Sequence, residues 1–456
     1  MLTDRYEDLD LEFHGVHDVD VALGVDGQVE ILRLWIEALV GDDGGANQIG
    51  MAPGAQWIAC RNMERGWGTL ATYVECFNWF LAPTDLNGEN ANPDMAPHVI
   101  NNSWSCPTQE GCNVDNFAVM QAAVDALDGL ELRGCRVRVN VGGKLHSLVY
   151  GRPCALHVDP VEKKPLNHFL PGTSVLSFGT AGCNLSCKFC QNWDMSKSRE
   201  MDTLMDSASP EAIARVAEEH GCRSVAYTYN DPVIFHEYAI DTAVACHERG
   251  IRSIAVTAGY ICEEPRKEFF AHMDAANIDL KGFTEDFYHK LTGAHLQPVL
   301  DTIAYAVHET DCWIELTTLL IPGHNDSTGE LEQLTKWVHD ELGPDIPLHF
   351  SAFHPDWKML DVPPTPPETL TRARKIALDA GIRYPFTGNV HDESGASTYC
   401  HNCGTRLIGR DWYVITEWNM TADGGCPNCG TQCAGVFEEQ PGTWGARRLP
   451  LRINSA

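Results

Sequence analysis

The 456-residue chain is poor in basic residues and contains no long apolar run. Lysine and arginine number 33 against 63 aspartates and glutamates, which gives a formal net charge of −30. Nucleic-acid partners require clustered cations that neutralise phosphates, so this balance argues against a DNA- or RNA-binding protein. No stretch approaches the ~20 consecutive apolar residues that a membrane-spanning helix needs. We therefore expect neither a nucleic-acid partner nor a membrane-embedded chain.

The first residues lack the basic start and apolar core of a secretory signal, since they read MLTDRYEDLDLEF. Without an export signal, we expect a cytoplasmic enzyme. Cysteine, by contrast, is abundant: there are 18, many of them grouped as CxxxCxxC and CxxC. Such grouping in a reducing compartment indicates metal binding rather than disulfides. The composition therefore predicts a metalloprotein.

Changes in composition and residue patterning along the chain predict five segments. They are an acidic segment (1–40), a glycine-rich α/β segment (41–130), a hairpin and lead-in (135–172), a strand–helix region (173–396) and a cysteine-rich tail (397–456). The hairpin is indicated by the alternating run CRVRVNVGGKLHSLVYG around a Gly-Gly turn.

Short apolar runs alternate with helical patterns from Ser174 onward. The candidate strands are SVLSFGT, SVAYTYN, SIAVTAG, NIDLKG, WIELTTLLI and PLHFSAF, with RYPFTGNV as a seventh candidate. Strand–helix alternation of this kind predicts an α/β fold with a parallel sheet, closed fully or partly into a barrel. Active sites of such barrels lie at the carboxyl ends of the strands.

Three cysteines, Cys183, Cys187 and Cys190, follow the first of these strands in the segment AGCNLSCKFC. Three thiolates on a 4Fe-4S cluster leave one iron open to a further ligand, and Phe189 can shield the cluster from one side. The alternatives are a zinc site completed by a remote histidine and three unrelated thiols. The position on the first βα loop favours the cluster.

The pattern CxxxCxΦC, with Phe189 as the aromatic residue, resembles the signature of the radical S-adenosylmethionine (SAM) superfamily. From about Cys135 onward the chain resembles the radical enzymes of the AmmeMemoRadiSam system, relatives of pyruvate formate-lyase activating enzymes. The segments that carry this resemblance are YGRPCALHVDPVEKKPLNHFLPG, GTAGCNLSCKFCQNWDMSKSRE, AYTYNDPVIFHEYA, IDLKGF and LLIPGHND.

This resemblance implies a partial (β/α)6 TIM-type barrel and two cofactors, the 4Fe-4S cluster and SAM. The methionine amino and carboxylate groups of SAM would chelate the open iron. Reductive cleavage would then give a 5′-deoxyadenosyl radical that abstracts a hydrogen atom. The resemblance further suggests a protein or peptide substrate and a reductant such as flavodoxin or ferredoxin.

Three further residues are candidate cofactor ligands. Asn230 and Asp231 stand where the superfamily carries a Gly-Gly-Glu element that holds the methionine ammonium. The alternative for either residue is a helix N-cap before Pro232. Thr257 begins the run Thr-Ala-Gly where the activating enzymes have Thr-Asn-Gly, so part of the cation-binding arrangement proposed for those relatives is absent.

Asp279 and Lys281 are two residues apart on a strand, so their side chains point to the same side. Activating enzymes carry an Asp-x-Lys at this place, which suggests a cofactor contact for Asp279 and a catalytic role for Lys281. The alternative is a structural ion pair at the barrel rim. His354, after PLHFSAF, is a candidate catalytic residue, although a lone histidine is often structural. His324 in IPGHND is predicted to be a turn residue.

Two CxxC pairs in the tail, Cys400/Cys403 and Cys426/Cys429, flank the hairpin-like run WYVITEW. This is the spacing of a zinc ribbon, with an auxiliary iron–sulfur cluster or rubredoxin-like iron as alternatives. Cys433 is a spare thiol and His401 a weaker rival ligand. A non-catalytic zinc-ribbon adaptor is therefore an alternative function for the whole chain.

The segment 41–130 resembles a fragment of a subtilisin-like serine protease of the bacillopeptidase F type. The matching stretches are GDDGGANQIGMAPGAQWIACRNM, FNWFLAPTDLNGENANPDMAPHVINNSWSC and FAVMQAAVDAL. Proteolysis needs a serine, a histidine and an aspartate in one site. The chain has no GTSMA-like serine segment and no recognisable aspartate motif, so we expect a catalytically inactive fragment and disfavour a serine protease.

Overall fold

The computed structural model describes residues 149–196 and 207–452, and four short strand segments before them. Those segments are Met63–Glu64, Trp67–Gly68, Arg138–Val141 and Lys144–Ser147. The last two form a two-stranded sheet where the hairpin was predicted. The acidic segment (1–40) and the protease-like segment (41–130) lie almost entirely outside the described residues.

The chain divides into two compact units. One unit comprises Met1–Gly134 and Asn140–Lys144, and the other comprises Cys135–Val139 and Leu145–Ala456. The second unit carries every candidate site residue named above.

A nine-stranded sheet forms the centre of the second unit. In chain order its strands are β1 (Cys154–Pro160), β2 (Ser174–Gly179), β3 (Ser224–Tyr227), β4 (Arg252–Thr257), β5 (Ala275–Asp279), β6 (Trp313–Leu320), β7 (Leu348–Ala352), β8 (Pro385–Gly388) and β12 (Leu449–Pro450). The intervening strands of the tail, β9 (Thr398–Tyr399), β10 (Arg406–Asp411) and β11 (Val414–Trp418), form a separate three-stranded sheet. Strands β2 to β8 are parallel and lie side by side in chain order. At the other edge β1 is antiparallel to β2, and β12 is antiparallel to β1.

This topology confirms the predicted α/β fold and all seven candidate strands. The seventh, Pro385–Gly388, pairs with β7 and extends the six-stranded barrel expected from the resemblance by one parallel strand. Seven parallel strands in sequential order, without a pairing between β2 and β8 in the described sheet, are consistent with a partial barrel.

The helices follow the strands as the alternation predicts. They are α1 (Trp193–Ser196), α2 (Pro210–Glu219), α3 (His236–His247), α4 (Glu263–Phe270), α5 (Glu285–Phe287), α6 (Leu296–His308), α7 (Thr328–Trp337), α8 (Pro367–Asp379) and α9 (Glu393–Ala396). Local sequence explains where they begin: α2 has Pro210 in its first turn, and the Ser209 side chain accepts a hydrogen bond from the Ala212 N–H.

A short segment between β1 and β2, residues 161–173, packs against one face of the sheet. Its side chains Val161, Leu166, Phe169 and Leu170 form an apolar cluster with strand residues Val175, Ala226, Ile254 and Ala275. We call residues 161–173 the plug and the sheet face that they cover the inner face. The helices cover the opposite face, where the larger core lies. Because both faces are covered, the strands read as continuous apolar runs.

Buried polar groups fix the plug in place. The Glu315 carboxylate on β6 accepts hydrogen bonds from the backbone N–H groups of Asn167 (2.9 Å) and His168 (2.7 Å) and from the His349 ring (2.7 Å). Burial opposes the charge on Glu315, but these bonds hold its pKa below the ordinary value. The plug is therefore held to the sheet by a carboxylate that already has its partners.

Glu162, also in the plug, has one carboxylate oxygen bonded to the Gly172 N–H (2.6 Å) and one without a partner among the described residues. Burial raises the pKa of Glu162 to about 7, although Arg410 opposes the rise. Because the folded-state value lies above the ordinary one, the native state holds the extra proton and loses stability as pH rises from about 4.5 to about 7. In Glu162→Gln this group no longer titrates, so the free energy of unfolding should fall by up to about 3 kcal/mol less than in the parent protein over this pH range.

Urea unfolding between about pH 5 and about pH 8 measures this effect as the shift in midpoint. The exposed Glu332→Gln variant is the charge-matched control, and its midpoint should follow the parent protein. If the urea midpoints of the parent and Glu162→Gln changed with pH in parallel, burial would not affect the titration of Glu162.

Candidate functional site

The three cysteines of the CxxxCxxC motif lie on the loop that follows β2, as predicted. Cys187 is buried, Cys183 and Cys190 are partly exposed, and none of the three is in a disulfide. The Cys190 sulfur lies 3.1 Å from the Ser196 hydroxyl. We call residues 180–191 the cysteine loop.

Backbone hydrogen bonds from distant parts of the chain hold the cysteine loop. Ser186 N–H donates to the Thr292 carbonyl (2.9 Å), and Lys188 N–H donates to the Leu291 carbonyl (2.8 Å). The Lys188 carbonyl accepts from the Lys358 N–H (3.1 Å). The loop that carries the thiols is thus ordered by the fold itself, which is what a preorganised metal site requires.

Asn230 anchors the start of this loop. Its side-chain oxygen accepts from the Thr180 N–H (3.0 Å), and its amide group donates to the Thr180 hydroxyl (3.2 Å) and the Gly182 carbonyl (2.8 Å). Glycine is required at 179, because a Cβ there would lie 2.5 Å from the Asn230 side-chain oxygen. These contacts show a positioning role, and the expected contact of Asn230 with the methionine ammonium stays a prediction.

Asn230→Leu is expected to destabilise the folded protein by about 2–4 kcal/mol, because it leaves buried partners on the loop unpaired. It should also speed the release of iron from reconstituted protein to a chelator. Asn230→Asp retains the acceptor for the Thr180 N–H and should show a smaller effect. Release rates equal to the parent protein in both variants would contradict this role.

Asp231 caps the short 3-10 turn Pro232–Phe235 by accepting from the Val233 N–H (3.1 Å). Its carboxylate also accepts from the Thr257 hydroxyl (3.0 Å) and the Ala258 N–H (2.8 Å). Burial raises the pKa of Asp231 against these bonds. The N-cap alternative therefore describes Asp231 in this structure, and Thr257 supports it. Cofactor contacts of Asp231 and Thr257 stay predictions.

Lys281 and Asp279 form an ion pair of 2.8 Å, with the Lys281 side chain 14% exposed. The Lys281 N–H also donates to the Tyr288 hydroxyl (3.1 Å). Burial opposes the Lys281 charge, but Asp279 and the Cys187 thiol together raise its pKa above the ordinary value. Lys281 is thus a fixed cation that acts electrostatically on Cys187, which suits charge neutralisation better than proton abstraction.

The two remaining candidates, Phe189 and His354, lie in different surroundings, and His324 lies in a turn as predicted. Phe189 is 5% exposed, and its ring centroid lies 6.0 Å from that of Phe287, so it packs into the core beside the cysteine loop. His354 is exposed after β7, with its ring 3.5 Å from the Pro355 carbonyl oxygen. His324 is exposed in a turn, with its N–H bonded to the Ile321 carbonyl.

The three loop cysteines offer three thiolate ligands from one short loop. Among the described residues, the side chains that come close enough together to hold a single ion are those of the tail cysteines. A 4Fe-4S cluster binds each thiolate at a separate iron, so three thiolates on one loop fit such a cluster. Zinc completed by a further ligand stays the alternative at this position.

The four predicted tail ligands do come together. The sulfurs of Cys400 and Cys429 lie 3.5 Å apart, those of Cys403 and Cys426 lie 3.6 Å apart, and all four lie within 4.8 Å of one another. His401 instead contacts the Tyr384 hydroxyl. The group fits one tetrahedral ion with four thiolate ligands.

Two hydroxyl groups that were not among the predicted site residues lie beside the tail ligands. The Thr405 hydroxyl lies 3.2 Å from the Cys403 sulfur, and the Thr431 hydroxyl lies 3.2 Å from the Cys429 sulfur. Hydrogen bonds with Thr405 lower the pKa of Cys403 to about 5. The signal was the repeated triplet Cys-Gly-Thr that ends each pair.

Similarity to known proteins differs between the strand–helix region of the chain and the protease-like segment. The sequence model of the Radical SAM superfamily matches residues 178–336. "Uncharacterized protein MJ0808" of Methanocaldococcus jannaschii is 44% identical over 276 residues, which span 60% of this chain and 82% of that protein. The chain belongs to the radical SAM superfamily.

More distant relatives include the 4-hydroxyphenylacetate decarboxylase activating enzyme of Clostridioides difficile, 22% identical over 34% of this chain and 51% of that enzyme. Among solved structures, a domain of pyruvate-formate lyase-activating enzyme from Bacteroides vulgatus is similar, with a TM-score of 0.33 and 17% identity over 36% of this chain and 99% of that chain.

Bacillopeptidase F of Bacillus subtilis is 53% identical over 60 residues, which are 13% of this chain and 4% of that protein. The similarity to the protease is therefore confined to a short stretch. In the part of the chain that the structure describes, no helix is long and apolar enough to cross a membrane.

Proposed function

We propose that this protein cleaves SAM reductively and uses the resulting 5′-deoxyadenosyl radical to abstract a hydrogen atom from a substrate. The observation that carries the proposal is the cysteine loop: three cysteines outside any disulfide, on one short loop that backbone hydrogen bonds fix after the first parallel strand. When bound to Cys183, Cys187 and Cys190, a 4Fe-4S cluster would supply an open iron for SAM and the electron for cleavage.

The residues around the loop have separable tasks in this proposal. Asn230 fixes the backbone at the start of the loop, and Phe189 excludes water on the core side. Lys281, held by Asp279, places a positive charge near Cys187. The Ser196 hydroxyl is placed to hydrogen-bond the Cys190 sulfur. Charges and hydrogen bonds of this kind set the reduction potential of a bound cluster.

The kind of reaction is a finer proposal. Similarity to activating enzymes supports a protein or peptide substrate and a flavodoxin- or ferredoxin-type reductant, whereas the Thr-Ala-Gly run departs from their pattern.

The tail, proposed as a zinc ribbon over residues 397–456, would be structural, with iron as the alternative metal. None of the described cysteines is in a disulfide, which fits the proposed reducing, cytoplasmic compartment.

The test is anaerobic reconstitution with iron and sulfide, followed by reduction with dithionite in the presence of SAM. We expect 5′-deoxyadenosine and methionine, detected by mass spectrometry. The product should vanish in the triple variant Cys183→Ala/Cys187→Ala/Cys190→Ala. Protein that binds no iron at these cysteines after reconstitution would contradict the proposal.

A further inference from the structure

A group of cations surrounds a single buried carboxylate, Asp159, on β1. The Asp159 oxygens lie 2.8 Å from Lys164 Nζ, 3.0 Å from Lys163 Nζ and 3.3 Å from Arg448 Nε, and they accept a hydrogen bond from the Tyr229 hydroxyl (2.8 Å). Asp159 is fully buried, and Lys164 is 2% exposed. Lys164 also lies over the Tyr229 ring, 4.8 Å from its centroid.

Positive charge exceeds negative charge in this group. Within the described residues, Asp159 is the only carboxylate in ion-pair contact with Lys163, Lys164 or Arg448, so three cations share one anion. Burial lowers the pKa of Lys164 to about 8, although Asp159 opposes the fall. The two buried members, Lys164 and Asp159, compensate each other, so the excess positive charge lies on Lys163 and Arg448, in a chain whose formal net charge is −30. An additional anion would complete the group.

Two of the cations can reach such an anion. The side chain of Lys163 is 20% exposed and that of Arg448 is 54% exposed, whereas Asp159 lies beneath them. Arg448 uses its Nε atom on Asp159, and its two terminal nitrogens form the fork that binds carboxylates and phosphates in bidentate fashion.

The group lies on the same sheet face as the plug and the Asp279 side chain. Asp159 pairs directly with Val175, and side chains of paired residues share a face. Val175 and Ala275 belong to the same apolar cluster on the inner face, and Asp279, four residues after Ala275 on β5, points to that face as well. The cation group and the Asp279–Lys281 pair are therefore presented to the same side of the sheet.

Tyr229 connects this group to the cysteine loop. Its backbone is left-handed, with φ of +73°, which is unusual for an aromatic residue and indicates a conformation imposed by its surroundings. Its hydroxyl bonds Asp159, its carbonyl accepts from the Asn192 side chain (2.9 Å), and the next residue is the loop anchor Asn230. One strained residue thus fixes both the cation group and the loop.

We propose that Lys163, Lys164 and Arg448 bind an anionic group, a carboxylate or a phosphate, of the molecule on which the radical acts. The assignment to the substrate rests on the proposed function, whereas the anion binding depends only on these side chains. The competing explanation is a purely structural network that ties the plug and the segment around β12 to β1.

The test is calorimetric titration of reconstituted, SAM-loaded protein with inorganic phosphate and, separately, with malonate. The variant Lys163→Gln/Arg448→Gln removes the two accessible cations and leaves the Lys164–Asp159 pair intact. The control Lys336→Gln/Lys375→Gln removes the same charge from exposed helical positions. We expect one saturable site with low-millimolar affinity, weakened at least tenfold in the first variant and unchanged in the control.

Binding of phosphate alone would support a phosphorylated substrate, and binding of malonate alone would support a carboxylic acid. Binding of both would support a site that accepts either anion. No saturable binding, equal weakening in both double variants, or displacement of the anion by SAM would overturn it. The same titration without cluster and SAM separates the two proposals, because binding there should persist. If the reconstituted protein never forms 5′-deoxyadenosine but the anion still binds, the anion site stands and its assignment to a radical substrate falls.

Discussion

Cys187→Ala is expected to abolish both cluster assembly and the formation of 5′-deoxyadenosine. Cys187 is the most buried of the three loop thiols, and it contributes to the raised pKa of Lys281. Loss of a ligand leaves one iron without a protein anchor and Lys281 without its neighbouring thiolate. We expect a fall of more than ~100-fold in product, beyond the ~10–100-fold that outer-shell substitutions typically cost. Iron and sulfide content and product yield measure the effect.

Cys262→Ala is the matched control for this substitution, because Cys262 is an exposed free thiol at the start of α4. It should retain the full iron content and activity. A Cys187→Ala protein that still carried four irons on the loop and produced 5′-deoxyadenosine would show that Cys187 is not a ligand.

Cys426→Ser is expected to remove the metal of the tail and to unfold the tail locally. Cys426 is 1% exposed and belongs to the small apolar cluster that includes Leu407, Ile408 and Cys400. A core this small depends on its metal, whose binding contributes about 10–16 kcal/mol in isolated zinc-binding peptides. Metal analysis should show one ion fewer per chain, and limited proteolysis should cut within residues 397–452.

His401→Ala distinguishes a metal site from general fragility of the tail. The His401 ring contacts the Tyr384 hydroxyl rather than the four sulfurs, so this variant should keep its metal and its resistance to proteolysis. Metal loss in His401→Ala, or metal retention in Cys426→Ser, would contradict the four-thiolate assignment.

The strands and the cysteine loop could be predicted because their signals are local. Strand β2 is buried along its whole length, so its apolar run SVLSFG appears directly in the sequence. The cysteines follow it without an intervening element, and the tail ligands occur in two short CxxC pairs. In the cysteine loop and in the tail, a few consecutive residues indicate both the metal ligands and their place in the fold.

The positioning contacts could not be predicted, since they join residues far apart in the chain. Asn230 and Thr180 are 50 residues apart, and Asp159 and Arg448 are 289 apart. The hydrogen bonds of Asn230 to the cysteine loop are marked by no motif, and the ligand role that the resemblance suggests for Asn230 stays a prediction. Only the register and curvature of the sheet place Lys163, Lys164 and Arg448 around one carboxylate, and no sequence motif marks that group.

The most direct test of the central claim is the Mössbauer spectrum of protein reconstituted with iron-57, recorded with and without SAM. Three thiolate ligands on a 4Fe-4S cluster predict one iron that differs from the other three and whose signal changes when SAM is added. Four irons that are all insensitive to SAM, or a mononuclear iron signal at the cysteine loop, would contradict the account.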